Sequence, residues 1–225
     1  MQAVDDTLLP RPPRGGTPGR RLIPRDTLTH RVIHAWFNMS KSTRRLLTER
    51  PSESRLLLLL MMSNLAFFFS WTLKAVVVPH AAGVALISTE VGALFLLAVV
   101  GRTAAMYLFA MTLGAFCRVI GGRGSWRNTR AAVFWGAFVA APFGVVAAVV
   151  SVLFTNLEVY YPIFGAPWIA LPPYWMGLLP FVWYISVAVA RAQGFRKVAP
   201  VFLGMSVVSL VGLIAAMYFY ARGLI

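Results

Sequence analysis

The segment Leu56–Val78 reads LLLLLMMSNLAFFFSWTLKAVVV and ends at Pro79. It carries one charged residue, Lys74. About 20 mostly apolar helical residues are needed to cross the roughly 30 Å hydrocarbon core of a bilayer. A spanning segment must also satisfy its own backbone polar groups, which a helix does. This stretch therefore sets the fold class as an all-α, polytopic membrane protein. Four further segments qualify, at about Val91–Ile120, Ala131–Phe154, Tyr174–Ala190 and Val198–Ala221. Five transmembrane helices are expected, in a membrane domain over 56–225. The second is long and interrupted by Gly101-Arg102. It reads either as a kinked helix or as an interfacial piece near 88–100 followed by a span from Thr103.

Composition agrees. Of the 225 residues, 59% are hydrophobic and 12% charged, and the mean hydropathy is +0.72. Soluble domains are about 45–50% apolar and about 25% charged. The net charge is nevertheless +14, so the position of the charges matters. Residues 1–55 hold 11 Lys and Arg against 5 Asp and Glu. Within them, Leu9–Pro24 reads LPRPPRGGTPGRRLIP, too rich in Pro and Gly for regular structure and too poor in apolar surface to order. Residues 1–25 are expected to be a disordered basic tail. No apolar run follows the basic part early enough for a secretory signal.

From Asp26 or Thr27 a helix is expected to run to about Arg50, closed by Pro51. On a helical wheel Leu28, Val32, Ile33, Trp36, Phe37, Met39, Leu46 and Leu47 fall in one half, and Arg31, His34, Lys41, Arg45 and Glu49 in the other. The 26–55 segment is thus a basic amphipathic helix that either lies on an anionic bilayer surface or packs on the membrane domain. His30 and His34 stand four residues apart but lack a third ligand, so a solvated face is the better reading.

Orientation follows from basic residues in the loops. Arg118, Arg123, Arg127 and Arg130 flank the loop after the second span. Arg191, Arg196 and Lys197 flank the loop after the fourth. With the tail, 18 of the 21 basic residues lie on one side, assigned as cytoplasmic. Residues 79–90 and 155–173 carry no Lys or Arg. The N-terminus is then inside and the C-terminus outside, in a bacterial inner membrane. Tyr160, Tyr161, Trp168, Tyr174 and Trp175 suit the far interface. Because the charge divides among a tail and two short loops, it marks orientation and attraction for anionic head groups. It is not a nucleic-acid footprint.

Charges within a membrane are functional candidates by default. Here they are Lys74, Glu90 and Arg102, each also able to snorkel to the far interface. Ala132, Gly136, Ala140, Gly144 and Ala148 recur every fourth residue, a face on which helices approach closely, and Pro142 interrupts that span. Cys117 is a juxtamembrane thiol, open to palmitoylation or simply buried. Gly121-Gly122-Arg123-Gly124-Ser125 lacks the Lys-Ser/Thr ending of a phosphate loop. Its glycines permit positive-φ turns, and Ser125 suits a helix cap. Arg118, Arg123, Trp126, Arg127, Arg130, Arg191, Arg196 and Lys197 are candidate lipid or partner contacts. No catalytic constellation, metal site or cofactor site assembles, and no enzyme activity or cofactor is expected.

Three segments carry a family resemblance. They are RRLLTERPSESRLLLLLMM (Arg44–Met62), GGRGSWRNTRAAVFWGAFVAAP (Gly121–Pro142) and AQGFRKVAPVFLG (Ala192–Gly204). Together they resemble the bacterial branch of the Yip family, the Ypt/Rab-interacting membrane proteins, over roughly residues 40–220. The resemblance implies five membrane helices and a cytoplasmic N-terminus, without agreed catalytic residues. Many bacterial members carry an acid just before the Gly-Phe turn, where this chain has Arg191 and Ala192. The function expected is a non-enzymatic membrane scaffold or adaptor with a membrane-protein partner or a second copy. The alternative is a small transporter, channel or lipid-handling protein using Glu90 and Arg102.

Overall fold

The structure, a computed structural model, describes residues 27–77, 92–93 and 95–222. The expected tail over 1–25 and the whole loop 79–90, Glu90 included, lie outside the described residues. In order, the α-helices are α1 (Leu28–Phe37), α2 (Met39–Glu49), α3 (Glu53–Val77), α4 (Arg102–Val119), α5 (Trp126–Glu158), α6 (Pro167–Ala192) and α7 (Ala199–Ala221). Four helical stretches are long and apolar enough to cross a membrane: Glu53–Lys74, Leu97–Val119, Trp126–Glu158 and Pro172–Ala192. A shorter apolar stretch, Ala199–Gly212, opens α7. By length and composition the chain is a polytopic integral membrane protein.

Central to the bundle is α5, which packs mainly on α6 and α3 and also on α4, while α7 lies against α6. Trp135, Phe134, Leu56, Leu60 and Ile185 are buried among them. Leu58, Leu65, Leu203, Val208 and Val211 face outward, as suits helices whose surroundings are acyl chains rather than water. Span two is continuous across Gly101-Arg102. It widens into a π turn over Leu97–Gly101, where the Arg102 N–H reaches the Leu97 carbonyl five residues back.

The amphipathic segment differs from expectation. It is two helices hinged at Asn38, not one. Asn38 donates its backbone N–H to the His34 carbonyl, ending α1, and its side chain accepts from the Lys41 N–H, capping α2. The hairpin packs on the spans. Val32, Ala35, Met39 and Leu46 are buried, whereas Phe37, placed on the apolar half of the wheel, is 87% exposed. Arg31 and Glu49, placed on the polar half, turn inward and pair at 3.1 Å. Arg31 also lies over the Trp135 ring. The buried face, Val32, Ala35, Met39, Ser42 and Leu46, runs in steps of three and four through Asn38. It lies to one flank of the apolar half of the wheel, which brings Arg31 beside it and leaves Phe37 opposite.

Candidate functional site

Polar residues meet in the middle of the spans. Ser63 and Asn64 lie about 15 Å along α3 from Glu53, near half the depth of a 30 Å core. The Asn64 amide donates to Thr103 Oγ1 at 2.7 Å, and Thr103 in turn donates to the Val99 carbonyl inside the π turn. Arg102 Nη1 donates to Ser63 Oγ at 3.3 Å and to Asn64 Oδ1. Ser63 donates weakly to the Ala137 carbonyl of α5 at 3.4 Å. π turns often mark functional positions in membrane and soluble helices alike. This one brings both Arg102 and Thr103 to bear on α3. Arg102 therefore does not extend to the far interface. Its guanidinium stays at mid-span, over the Phe67 ring at 4.9 Å.

Beside this cluster is a cavity of about 760 Å³, bounded by α3, α4, α5 and α6. Ser63, Met106, Ala137 and Arg102 line its inner end, and Lys74, Trp71 and Tyr174 its outer end. Phe67, Leu178 and Phe181 are on its walls. The Lys74 ammonium stands over the Tyr174 ring at 4.9 Å. Among the described residues no carboxylate pairs with either cation. Lys74 and Arg102 thus share one site, and Glu90, the third intramembrane candidate, lies outside the described residues.

The small-residue face of α5 does two different things. Ala132, Gly136 and Ala140 are buried, and a Cβ on Gly136 would stand 2.9 Å from Ile185 Cα, so α5 and α6 are in near backbone contact there. One turn beyond Ala140 the helices still approach, a Cβ on Gly177 of α6 standing 3.7 Å from Gly144 Cα, but the Gly144 Cβ direction is open. A Cβ on Gly144 would meet nothing within 4 Å, and Gly144 and Ala148 line the cavity.

At the opposite end the two basic loops interlock. Helices α4 and α6 both end in a left-handed glycine, Gly121 (φ 94°) and Gly194 (φ 81°). In each, the following residue bonds back five positions, Gly122 N–H to the Cys117 carbonyl and Phe195 N–H to the Ala190 carbonyl. These are matched Schellman ends. Gln193, 2% exposed, joins them. It accepts from the Arg123 N–H at its carbonyl and from the Gly124 N–H at Oε1, and it donates to Thr129 Oγ1 at 2.7 Å. Ser125 caps α5 by accepting from the Asn128 N–H.

The basic candidates divide into two groups. Arg127 donates to the Pro51 carbonyl at 2.8 Å, and Arg130 pairs with Glu53 at 3.0 Å. Arg191 donates to Ser40 Oγ and to the Phe195 and Arg196 carbonyls. These three, expected to meet lipid or a partner, also bind the chain to itself, and the Arg127 side chain stays half exposed. Arg118 stacks on Trp126 at 4.0 Å, and Trp126 packs against Gly114. Arg123, Arg196 and Lys197 are exposed. Cys117 is fully buried, which withdraws it from palmitoylation.

Several residues of these polar clusters escaped the sequence reading. Ser63 and Asn64 were signalled by a polar pair inside a Leu- and Phe-rich run, since polar side chains in a span need partners. Gln193 gave no such signal, because an amide in a turn is unremarkable until the second loop is placed beside it. No protein-family model, curated protein or solved structure matches the chain.

Proposed function

We propose that the chain is a non-enzymatic scaffold or adaptor of the Yip type, with five spans in a bacterial inner membrane. Its N-terminus is cytoplasmic and its C-terminus periplasmic. The observation that carries this reading is the interlocked basic end. Two loops, the α1–α2 hairpin and the α2–α3 connection are hydrogen-bonded to one another there, with Arg44, Arg123, Arg196 and Lys197 exposed around them. A fixed platform of cations suits anionic head groups on the cytoplasmic side and an acidic surface on a membrane-protein partner. Cross-linking in native membranes with mass spectrometry tests it. A stoichiometric partner or a second copy linked through this face is expected, and a solitary monomer removes the reading. A reporter fused to the C-terminus is expected on the periplasmic side; a cytoplasmic reporter breaks the five-span arrangement.

A second reading, transport or lipid handling through Arg102 and Glu90, is favoured by the cavity. Reconstituted liposomes then show solute flux or lipid movement that Arg102→Ala or Glu90→Gln reduces. Absence of both across a panel of ions and lipids removes this alternative.

A further inference from the structure

Arg102 presents an electrostatic problem at mid-span. A guanidinium carries five N–H donors and cannot lose its charge. Among the described residues, its hydrogen bonds run from Nη1 alone, to the neutral oxygens of Ser63 and Asn64. Phe67 offers a ring face to the cation, and no described carboxylate balances it. Buried charges are normally paired, because desolvation otherwise costs several kcal/mol. Lys74 repeats the pattern at the cavity's outer end, with Tyr174 as its described neighbour. Two cations thus line one cavity whose walls are otherwise aromatic, aliphatic and small.

Shape adds to charge. The volume falls within the range of about 300–1,000 Å³ common for small-molecule sites. Trp71 and Tyr174 stand at the end where Lys74 lies, and such side chains favour the head-group level of a bilayer. From Phe67, beneath Arg102, to Lys74 is about 10 Å along α3, a distance that a phospholipid head group and its glycerol esters bridge with help from the two long side chains. Phe67, Leu178, Phe181 and the Gly144 face offer the apolar contact an acyl chain needs.

The geometry points to a binding site for one acidic phospholipid of the bilayer, its head group held between Lys74 and Arg102 and an acyl chain laid along the α5–α6 side of the cavity. This uses the same cavity as the transport reading but does not depend on it. A lipid held without being moved is structural ballast or a regulator for a scaffold; a lipid moved is cargo.

The test uses the full chain purified in mild detergent, with native mass spectrometry after adding palmitoyl-oleoyl phosphatidylglycerol or the corresponding phosphatidylcholine. Wild type is expected to retain one phosphatidylglycerol in preference to phosphatidylcholine, and Lys74→Gln and Arg102→Gln to weaken that retention by about tenfold each. Gly144→Leu fills the cavity without touching a charge and is expected to abolish it. Lys41→Gln, which removes an exposed cation of α2 away from the cavity, leaves it unchanged. Equal retention of the two lipids, retention by Gly144→Leu, or a loss as large in Lys41→Gln overturns the site. Should Arg102→Gln fail to fold, Lys74→Gln and Gly144→Leu decide the outcome by themselves. Specific retention without lipid movement in liposomes keeps the site and removes the transport reading.

Discussion

The indole N–H of Trp36 donates to the carbonyl oxygen of Val139 at 2.9 Å, three residues before Pro142. A proline inside a helix has no N–H to offer and disturbs the turn before it, leaving carbonyls short of donors. In α5 the carbonyl that Pro142 cannot serve is that of Phe138, four residues back; the next one, of Val139, takes a donor from outside the helix, from a residue of α1. The same indole lies edge-on to Phe143 at 5.4 Å, and Tyr184 of α6 donates to the Trp36 carbonyl at 3.4 Å. The amphipathic hairpin is thereby anchored at the level of the proline, between α5 and α6.

Trp36→Phe keeps a ring beside Phe143 but removes the donor. The expected loss is about 1–2 kcal/mol for a carbonyl left without its partner, or roughly 2–4 °C in Tm for each kcal/mol in a chain of this size. Limited proteolysis between α1 and α2 accelerates in parallel. An unchanged Tm and an unchanged cleavage rate show that the hairpin is held by apolar contact alone.

Glu49 accepts from Arg31, Arg45 and Arg55, at 3.1, 3.3 and 3.1 Å. Its side chain is 24% exposed and that of Arg31 11%, whereas Glu53, which joins Arg127 and Arg130, is 53% exposed. Solvent screens the Glu53 pairs more strongly. Glu49→Gln is therefore expected to destabilise by about 1–3 kcal/mol, leaving Arg31 without its carboxylate, and Glu53→Gln by less than about 1 kcal/mol. Thermal unfolding at low and at high salt separates the two. Equal losses contradict the ranking.

Four of the five expected spans were legible because apolar length is a local property; the fifth is matched only by the shorter apolar stretch Ala199–Gly212. The hinge at Asn38 was legible in part, since Asn is a strong cap residue, but the apolar wheel seemed to run through it. The inward turn of Arg31 was not legible. Its partner is 18 residues away and across a hinge, and a lone basic residue on a wheel reads as solvated. Likewise, the Ser63–Asn64 pair marks a need for partners without naming Arg102 and Thr103, which the π turn supplies.

Gln193 ties both basic loops, so its removal is felt in each. Gln193→Leu keeps the bulk but leaves the Gly124 N–H and the Thr129 hydroxyl without this partner, for an expected cost of about 1–3 kcal/mol. Gln193→Glu retains an acceptor for Gly124 yet loses the donor to Thr129, and is expected to fall between wild type and Gln193→Leu near neutral pH. Amide hydrogen exchange at Gly124 reports the first bond directly. Slow exchange at Gly124 in Gln193→Leu shows that the loops are locked by other contacts.

Cys117 is the chain's one cysteine and has no exposed surface. A maleimide reagent is expected to leave it unmodified in the folded protein and to label it fully after denaturation. Thiolate chemistry requires access as well as ionisation. Rapid labelling of the folded chain shows instead that α4 opens near its basic end.

Two glycines eight residues apart on α5 give the sharpest test of how the helices are spaced. At Gly136 a methyl group would lie 2.9 Å from both Ile185 Cα and Cγ1, so α5 and α6 must separate to admit it. Overpacking of this kind typically costs about 1–3 kcal/mol. At Gly144 the added methyl enters open space, and alanine favours the helix over glycine by about 1 kcal/mol in aqueous measurements. Gly136→Ala is therefore expected to lower Tm and Gly144→Ala to leave it unchanged or raise it, although both sit on the same four-residue repeat. A matching loss at both positions means that the Gly144 Cβ direction is occupied and that the cavity is closed there in the folded protein. Opposite effects place the cavity on the side of α5 to which the Gly144 Cβ points.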